Sequence, residues 1–112
     1  NGIFTFVQNY DDKLFRIDGH PSFTSDERYM ITDSYPDESG YQHLIIFDTV
    51  TMKGVVVGKL KAPLSGNPAS CDLHPKLSSG GKYVVVDTAY TGKHHMIVLE
   101  LQWAQIKQVI SK

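Results

Sequence analysis

Residues 18–34 of the sequence, DGHPSFTSDERYMITDS, return 54 positions later as residues 72–88, DLHPKLSSGGKYVVVDT. With His20 aligned on His74, six of the 17 positions are identical and most of the other pairs are conservative. An internal repeat of this kind indicates an architecture built from copies of one supersecondary unit. The repeat therefore decides the fold class before any single motif is considered.

The similarity continues after a loop that is two residues shorter in the second copy. QHLIIFD, residues 42–48, then aligns with HHMIVLE, residues 94–100. Each unit thus contains a D-x-H-P start, a short apolar pair, a polar turn, an apolar strand that ends in Asp, a loop and a second apolar strand. This order of elements predicts a blade-like sheet in each copy.

Strand and turn chemistry divides the chain into four parts. Residues 1–17, with IFTFV and LFRI on either side of an NYDD turn, predict a hairpin that belongs to a preceding unit. Residues 18–60 predict one blade, residues 61–70 a connector with two prolines, and residues 71–112 a second blade. We therefore predict an all-β fold of two four-stranded antiparallel blades plus a leading hairpin, which is a partial β-propeller.

The last segment, residues 103–110, is ambiguous. Trp103, Ile106 and Ile110 fit a helical spacing, whereas the blade pattern calls for a fourth strand. We favour a frayed strand, since it would complete the second blade.

The composition indicates one globular domain, and the net charge does not point to any class of binding partner. The 112 residues are 41% hydrophobic and 21% charged, with a formal net charge of −1, so bulk electrostatics does not favour binding to nucleic acid. The single cysteine, Cys71, excludes an internal disulfide. No apolar run is long enough to span a bilayer and no N-terminal signal pattern is present, so we expect a soluble protein, cytoplasmic or periplasmic, without a membrane span.

Two blades and a hairpin are fewer than the roughly four to eight blades that close a propeller ring. We expect the chain, which begins at Asn1 without a Met, to be a fragment of a longer protein that supplies the remaining blades. The alternative is a homo-oligomer in which three copies close a six-bladed ring, as in some small lectins. The leading hairpin does not divide evenly into such a ring.

The turns of the two units resemble those of TolB-like, or PD40-type, β-propellers. SSGGKY, residues 78–83, is similar to the S-P-D-G-K/R-Y signature of that family, and TSDERY, residues 24–29, resembles a degenerate copy. The proline is missing from both copies, and Glu27 stands at the glycine position of the first. The resemblance extends from Asp18 onward and implies a six- or seven-bladed propeller.

Within that superfamily, HPSFT at residues 20–24 and DLHP at residues 72–75 resemble blade starts of oligogalacturonate lyase. In that family, histidines and a glutamine on inner strands hold a manganese ion. The resemblance implies metal-assisted β-elimination on uronate oligosaccharides, in which the metal stabilises enolate-like charge. Asp72 stands where the family has a further histidine, and Ala69 where it has the glutamine.

The residues themselves point to a metal site at the same place. In a propeller the first strand of each blade lines the central channel, and residues i and i+2 project on one face. Asp18 with His20, and Asp72 with His74, would then bring imidazoles and carboxylates together from adjacent blades. Such nitrogen and oxygen donors suit manganese or zinc. We take His20, Asp72 and His74 as candidate metal ligands, with manganese favoured, and assign no catalytic base.

Other polar and aromatic residues are candidates for binding an acidic oligosaccharide. Arginine and tyrosine side chains can contact acidic sugars, and polar residues that the repeat does not duplicate are better functional suspects than those it does. The candidate substrate-binding residues are Arg16, Tyr35, Gln42, Tyr90 and His94.

A structural interpretation of the histidines competes with the metal site. Residues that recur in every blade are more often structural, because one active site needs only one constellation. We therefore predict a hydrogen-bond contact, either direct or through a Ser or Thr, between His20 and Asp33 at the end of its strand, and the same arrangement for His74 and Asp87. Two functions stay open: a carbohydrate-directed enzyme of the oligogalacturonate lyase type, and a non-catalytic propeller that binds a glycan or a protein partner.

Overall fold

The computed structural model describes Ile3, residues 19–63 and residues 71–112. Apart from Ile3, the predicted hairpin over residues 1–17 lies outside the described residues, as does most of the predicted connector. The described part of the chain contains no helix with the length and apolar character needed to cross a membrane.

The first repeat unit forms a four-stranded antiparallel sheet in which each strand pairs with the next along the chain. The strands are β1 (Ser22–Phe23), β2 (Tyr29–Asp33), β3 (Tyr41–Asp48) and β4 (Lys53–Lys61). Most residues of β2 and β3 are buried, including side chains on both faces of these strands. The four strands predicted for residues 18–60 are therefore confirmed.

The second unit differs from the first after its third strand. It forms an antiparallel sheet of β5 (Lys76–Leu77), β6 (Tyr83–Thr88) and β7 (His95–Glu100), followed by the helix α1 (Trp103–Ile110). The predicted all-β character is confirmed for the sheets. The prediction of a fourth strand over residues 103–110, and hence of a second four-stranded blade, is wrong.

The chemistry of one turn explains this difference. In the first unit, Asp48 Oδ1 accepts the backbone N–H of Val50 at 2.9 Å, and Met52 adopts a positive φ of 60°, which turns the chain into β4. The second unit has Glu100 and Ala104 at the corresponding positions. The longer glutamate does not make the Asp-type turn, and alanine favours a helix.

Two faces of α1 make different contacts. Ile106 and Ile110, one turn apart, are 8% and 4% exposed and pack into the core. Trp103 and Lys107, also one turn apart, lie beside Tyr29 of the first sheet. The helix therefore joins the two units at the place where a fourth strand was expected.

A single hydrophobic core spans both sheets and the helix. Each fully buried aliphatic side chain contributes roughly 1.5–3 kcal/mol to folding, so this shared core is the main force that holds the units together. Its buried members are Tyr29, Ile31, Leu44, Ile46, Leu73, Val84, Val86, Leu101, Ile106 and Ile110.

The turns that follow β1 and β5 have the same geometry in both units. The N–H of Glu27 donates to the Thr24 carbonyl at 2.8 Å, and the N–H of Gly81 donates to the Ser78 carbonyl at 2.8 Å. Glu27 and Gly81 both adopt positive φ angles, 63° and 74°. Glycine adopts such angles without steric cost, whereas glutamate does not. This turn therefore requires a left-handed backbone at the position that is glycine in the second unit.

Candidate metal site

His20 and His74 meet where the two sheets adjoin. Each histidine precedes a short strand, β1 or β5, and these two strands contact one another. The imidazole ring centroids are 4.0 Å apart and the ring planes are inclined by 46°. The repeat therefore places two equivalent histidines side by side, as the sequence predicted.

The carboxylate of Asp33 holds both histidines in place. It accepts the backbone N–H of His20, and both of its oxygens lie 3.2 Å from His20 Nδ1. It also accepts the backbone N–H of His74 at 3.1 Å. Asp33 is 2% exposed, so these bonds compensate a carboxylate that has little access to water. One buried side chain thus fixes the start of both units.

The contact with Asp33 sets the orientation and tautomer of the His20 ring. A carboxylate that already accepts two backbone N–H groups is an acceptor, so in the neutral form of the His20 ring the favoured tautomer has Nδ1 as the donor and the lone pair on Nε2. Metal-binding histidines commonly have this arrangement, in which the other ring nitrogen donates to a carboxylate. This Nε2 lies 4.0 Å from Asp72 Oδ2.

Three candidate ligands therefore form one cluster. One ligand atom each from His20, Asp72 and His74 can be chosen so that all three lie within 4.8 Å of one another. His20 and Asp72 are partly buried and His74 is exposed, which leaves the cluster open to solvent on one side. Two imidazole rings and a carboxylate, with the Asp33 carboxylate behind them, are the kinds of donor groups that divalent transition-metal ions accept.

His74 has an unusual backbone. Its φ is +44°, in a region that few residues other than glycine adopt, although histidine is enriched there relative to most side chains. The surrounding hydrogen bonds must offset the cost of this conformation, which is of the order of 1–3 kcal/mol. Backbone strain of this kind clusters at functional sites, and here it coincides with a candidate ligand.

The predicted pairing of histidines with aspartates is confirmed in one unit and wrong in the other. His20 binds Asp33 as predicted. His74 binds the same Asp33 through its backbone rather than binding Asp87. The Asp87 carboxylate instead lies 4.0 Å from His94 Nε2. Because β1 and β5 lie side by side, Asp33 reaches the start of both strands.

The loops that carry three of the predicted substrate-binding residues lie at the same end of the sheets as the cluster. Tyr35 follows β2 and is 43% exposed, while Tyr90 and His94 follow β6 and are also exposed. Among the described residues, however, no contact joins these side chains to the cluster. Arg16 and Asp18 lie outside the described residues.

Gln42, one of the predicted substrate-binding residues, is buried and links two segments of the chain. It is 1% exposed, and its Nε2 donates to the Cys71 carbonyl at 2.9 Å, which ties β3 to the segment before His74. Its Oε1 is buried and has no hydrogen-bond partner among the described residues. A polar residue inside an apolar strand gives no sign in the sequence of whether it faces the core or the site.

Cys71 precedes Asp72 but does not belong to the cluster, whose three members offer only nitrogen and oxygen donors. Burial, together with the nearby carboxylates of Asp87 and Asp72, raises the pKa of its thiol. In the described structure the sulfur is therefore a thiol rather than a thiolate at neutral pH.

The sequence interpretation missed two features of this region. The hydrogen bond between Asp33 and the backbone of His74 could not be predicted from the sequence pattern, because it depends on how the two sheets pack. The aromatic pair of Tyr29 and Trp103, with ring centroids 5.1 Å apart, depends on α1. The spacing of Trp103, Ile106 and Ile110 indicated this helix, but the similarity between the repeat units favoured a strand instead.

Comparison of the chain with protein-family models, with curated proteins and with solved structures finds no match. The function is therefore inferred from the geometry of the cluster and from the chemistry of its residues.

Proposed function

We propose that the two sheets are blades of a TolB-like β-propeller and that His20, Asp72 and His74 bind a divalent cation, with manganese favoured over zinc. One observation carries this proposal: ligand atoms contributed by two repeat units lie within 4.8 Å of one another. Two blades are fewer than the roughly four to eight of a closed propeller, so in this proposal the remaining blades come from a longer chain or from further copies of this one.

The chain's own residues prepare the site for a cation. Asp33 orients His20 so that Nε2 faces Asp72, and it anchors the backbone of His74. Asp72 supplies a negative charge at the partly exposed edge of the cluster. Because Asp33 is fixed by three N–H donors, little reorganisation of this second layer is needed when a cation binds.

The function proposed for this site is β-elimination on uronate oligosaccharides, as the resemblance to oligogalacturonate lyase implies. A bound divalent cation supplies Lewis-acid stabilisation of the charge that develops beside the uronate carboxylate. The phenol groups of Tyr35 and Tyr90 lie on the loops at this end of the sheets, where they can donate hydrogen bonds to an acidic sugar. The substrate would thus approach from the open side of the cluster.

Thermal unfolding with and without manganese tests the site directly. A ligand that binds only the folded state at a hundredfold excess over its Kd stabilises that state by about 2.7 kcal/mol, so the melting temperature of the native chain should rise on addition of manganese chloride and fall back with EDTA. His74→Ala should abolish the rise. His94→Ala, an exposed histidine outside the cluster, is the matched control and should keep it. An unchanged melting temperature at saturating manganese would contradict the proposal.

The alternative function is a non-catalytic propeller that binds an acidic oligosaccharide or a protein partner. Incubation with oligogalacturonate separates the two, since β-elimination produces an unsaturated uronate that absorbs ultraviolet light. Product formation that depends on manganese and on His74 supports the lyase. Saturable binding of the oligosaccharide without any product would favour the binding module.

A further inference from the structure

A cavity lies at the opposite end of β1 and β5 from the histidine cluster. His20 and His74 precede β1 and β5, whereas this cavity lies beside the turns that follow these strands. Its volume is about 170 Å³, and the turn residues Thr24, Asp26 and Gly81 line it together with side chains of α1. It therefore uses none of the candidate metal ligands.

The aromatic wall of the cavity is held rigidly. Trp103 packs against Tyr29 with ring centroids 5.1 Å apart and an angle of 53° between the rings. The indole N–H of Trp103 donates to the Gly81 carbonyl, which fixes the ring against the second turn. Trp103 is partly exposed and Tyr29 is 9% exposed, so the indole provides most of the accessible aromatic surface.

Polar groups of opposite charge flank this aromatic surface. The Asp26 carboxylate accepts the Thr24 hydroxyl at 2.6 Å and the Arg28 backbone N–H at 3.0 Å. The hydrogen bond from Thr24 is the largest cause of a lowered pKa for Asp26, so this acceptor is ionised at neutral pH. Lys107 Nζ lies 5.8 Å from the Tyr29 ring centroid and 6.0 Å from that of Trp103.

The ammonium group of Lys107 is available for a ligand. In residues 19–63 and 71–112, no carboxylate lies within ion-pair distance of it. Its contacts with the two rings are cation–π interactions, which at exposed sites are worth only about 0.5–1 kcal/mol. The cavity thus offers an aromatic face, a fixed anionic acceptor and a cationic donor.

We propose that this cavity binds one pyranose ring of a glycan. The C–H face of a sugar ring packs on an aromatic surface such as that of Trp103, while its hydroxyl groups both donate and accept. Asp26 would accept from one hydroxyl and Lys107 would donate to another. The volume is well below the roughly 300–1,000 Å³ of pockets that enclose drug-sized ligands, so it suits a single ring.

Other ligand classes fit the same groups less well. A phosphate would face the Asp26 carboxylate with only Lys107 to neutralise it. A purely apolar ligand would make no polar contact with the Asp26 carboxylate or the Lys107 ammonium group and would displace water from both. A cationic ligand on the aromatic rings would be repelled by the ammonium group of Lys107, which lies near both rings. The pyranose proposal does not depend on the metal site, because the two sites share no residue.

Tryptophan fluorescence tests the proposal, since Trp103 is the only tryptophan of the chain. The native protein would be titrated with the methyl glycosides of galactose, glucose and galacturonic acid in the presence of EDTA. We expect a saturable change in emission with at least one of them. Lys107→Gln and Asp26→Asn should each weaken that binding about tenfold, because each removes a charge-assisted hydrogen bond.

Two control variants separate this site from the metal site. Lys93→Gln removes an exposed lysine from the loop at the other end of the sheets and should bind the glycosides as the native chain does. His74→Ala should also bind them normally while losing the response to manganese. Lys107 is exposed, so its variant is expected to fold, and thermal unfolding of each variant checks this.

Three outcomes would overturn the pyranose site. One is the absence of a saturable response to any of the glycosides. Another is a response to tetramethylammonium chloride without a response to the glycosides, which would identify the aromatic pair as a cation site. The third is unchanged glycoside affinity in both Lys107→Gln and Asp26→Asn.

Discussion

The backbone N–H of His74 donates a hydrogen bond to Oδ2 of Asp33, 3.1 Å away, although the two residues belong to different repeat units. The same carboxylate binds His20 through its backbone and its ring. Among the described residues, the carboxylate of its counterpart in the second unit, Asp87, has only a distant polar contact, with His94 Nε2 at 4.0 Å. The two aspartates are identical in the repeat but unequal in the structure.

The first prediction follows from this inequality. Asp33→Asn should lower the free energy of unfolding by about 3 kcal/mol, because a buried group that accepts several N–H bonds is replaced by an amide with one carbonyl oxygen. Asp87→Asn, the matched control, should lower it by about 0.5 kcal/mol or less, since that side chain is partly exposed. Urea-induced unfolding followed by circular dichroism measures both. Equal losses in the two variants would contradict the role given to Asp33.

The features that follow from the repeat could be predicted from the sequence, whereas those that depend on packing between the sheets could not. The repeat predicts four strands in each unit, and seven of these eight strands are present in the described residues. It also predicts their antiparallel order and the proximity of His20 and His74, because each depends on local pattern and on the equivalence of the units. Which unit's aspartate binds His74 depends on packing between sheets, which no local pattern records. The helix α1 was missed because the repeat suggested a strand where Glu100 and Ala104 had replaced the turn residues.

The second prediction concerns Glu27, which adopts a φ of 63° at the position occupied by Gly81 in the other unit. Glu27→Gly should stabilise the fold by about 0.5–1 kcal/mol, since relief of the left-handed strain outweighs the added chain entropy of glycine. Gly81→Ala should destabilise it by about 1 kcal/mol for the same reason. Its new Cβ would meet Thr24 and Trp103 at ordinary contact distances of 3.8 Å, so strain rather than collision is the cause.

Melting temperatures of the two single variants check this pair. A stabilised Gly81→Ala or a destabilised Glu27→Gly would show that the turn geometry does not control stability here.

The third prediction uses the ion pair between Arg28 and Asp48. Arg28 Nη2 donates to Asp48 Oδ2 at 2.9 Å and Nε donates to Oδ1 at 3.2 Å, while the carboxylate is 2% exposed. The hydrogen bond from Arg28 is the main cause that lowers the pKa of Asp48 from 3.8 to about 2. The unfolded chain therefore takes up a proton before the folded chain does as the pH falls. The contribution of Asp48 is present above pH ~4 and is lost between pH ~4 and pH ~2.

Asp48→Asn should therefore cost about 2 kcal/mol at neutral pH and much less near pH 2. Free energies of unfolding from denaturant titrations across this range would show the curves of the native chain and the variant converging at low pH. A constant gap between the two curves would mean that Asp48 does not titrate as described. Asp37, whose pKa is also about 2, remains in both proteins and so does not affect the difference.

The last prediction tests whether residues 103–110 form a helix or the strand that the repeat suggested. In α1, Ile106 is 8% exposed and joins the core that both sheets share, whereas Gln108 is exposed. Residues two apart point to nearly opposite sides of a helix but to the same side of a strand. Ile106→Ala should therefore cost about 2–5 kcal/mol, and Gln108→Lys should cost about 0.5 kcal/mol or less. In a strand that buries Ile106, the lysine at position 108 would also be forced into the core and would destabilise the fold strongly. Urea-induced unfolding of both variants decides between the two structures, and comparable large losses would favour the strand.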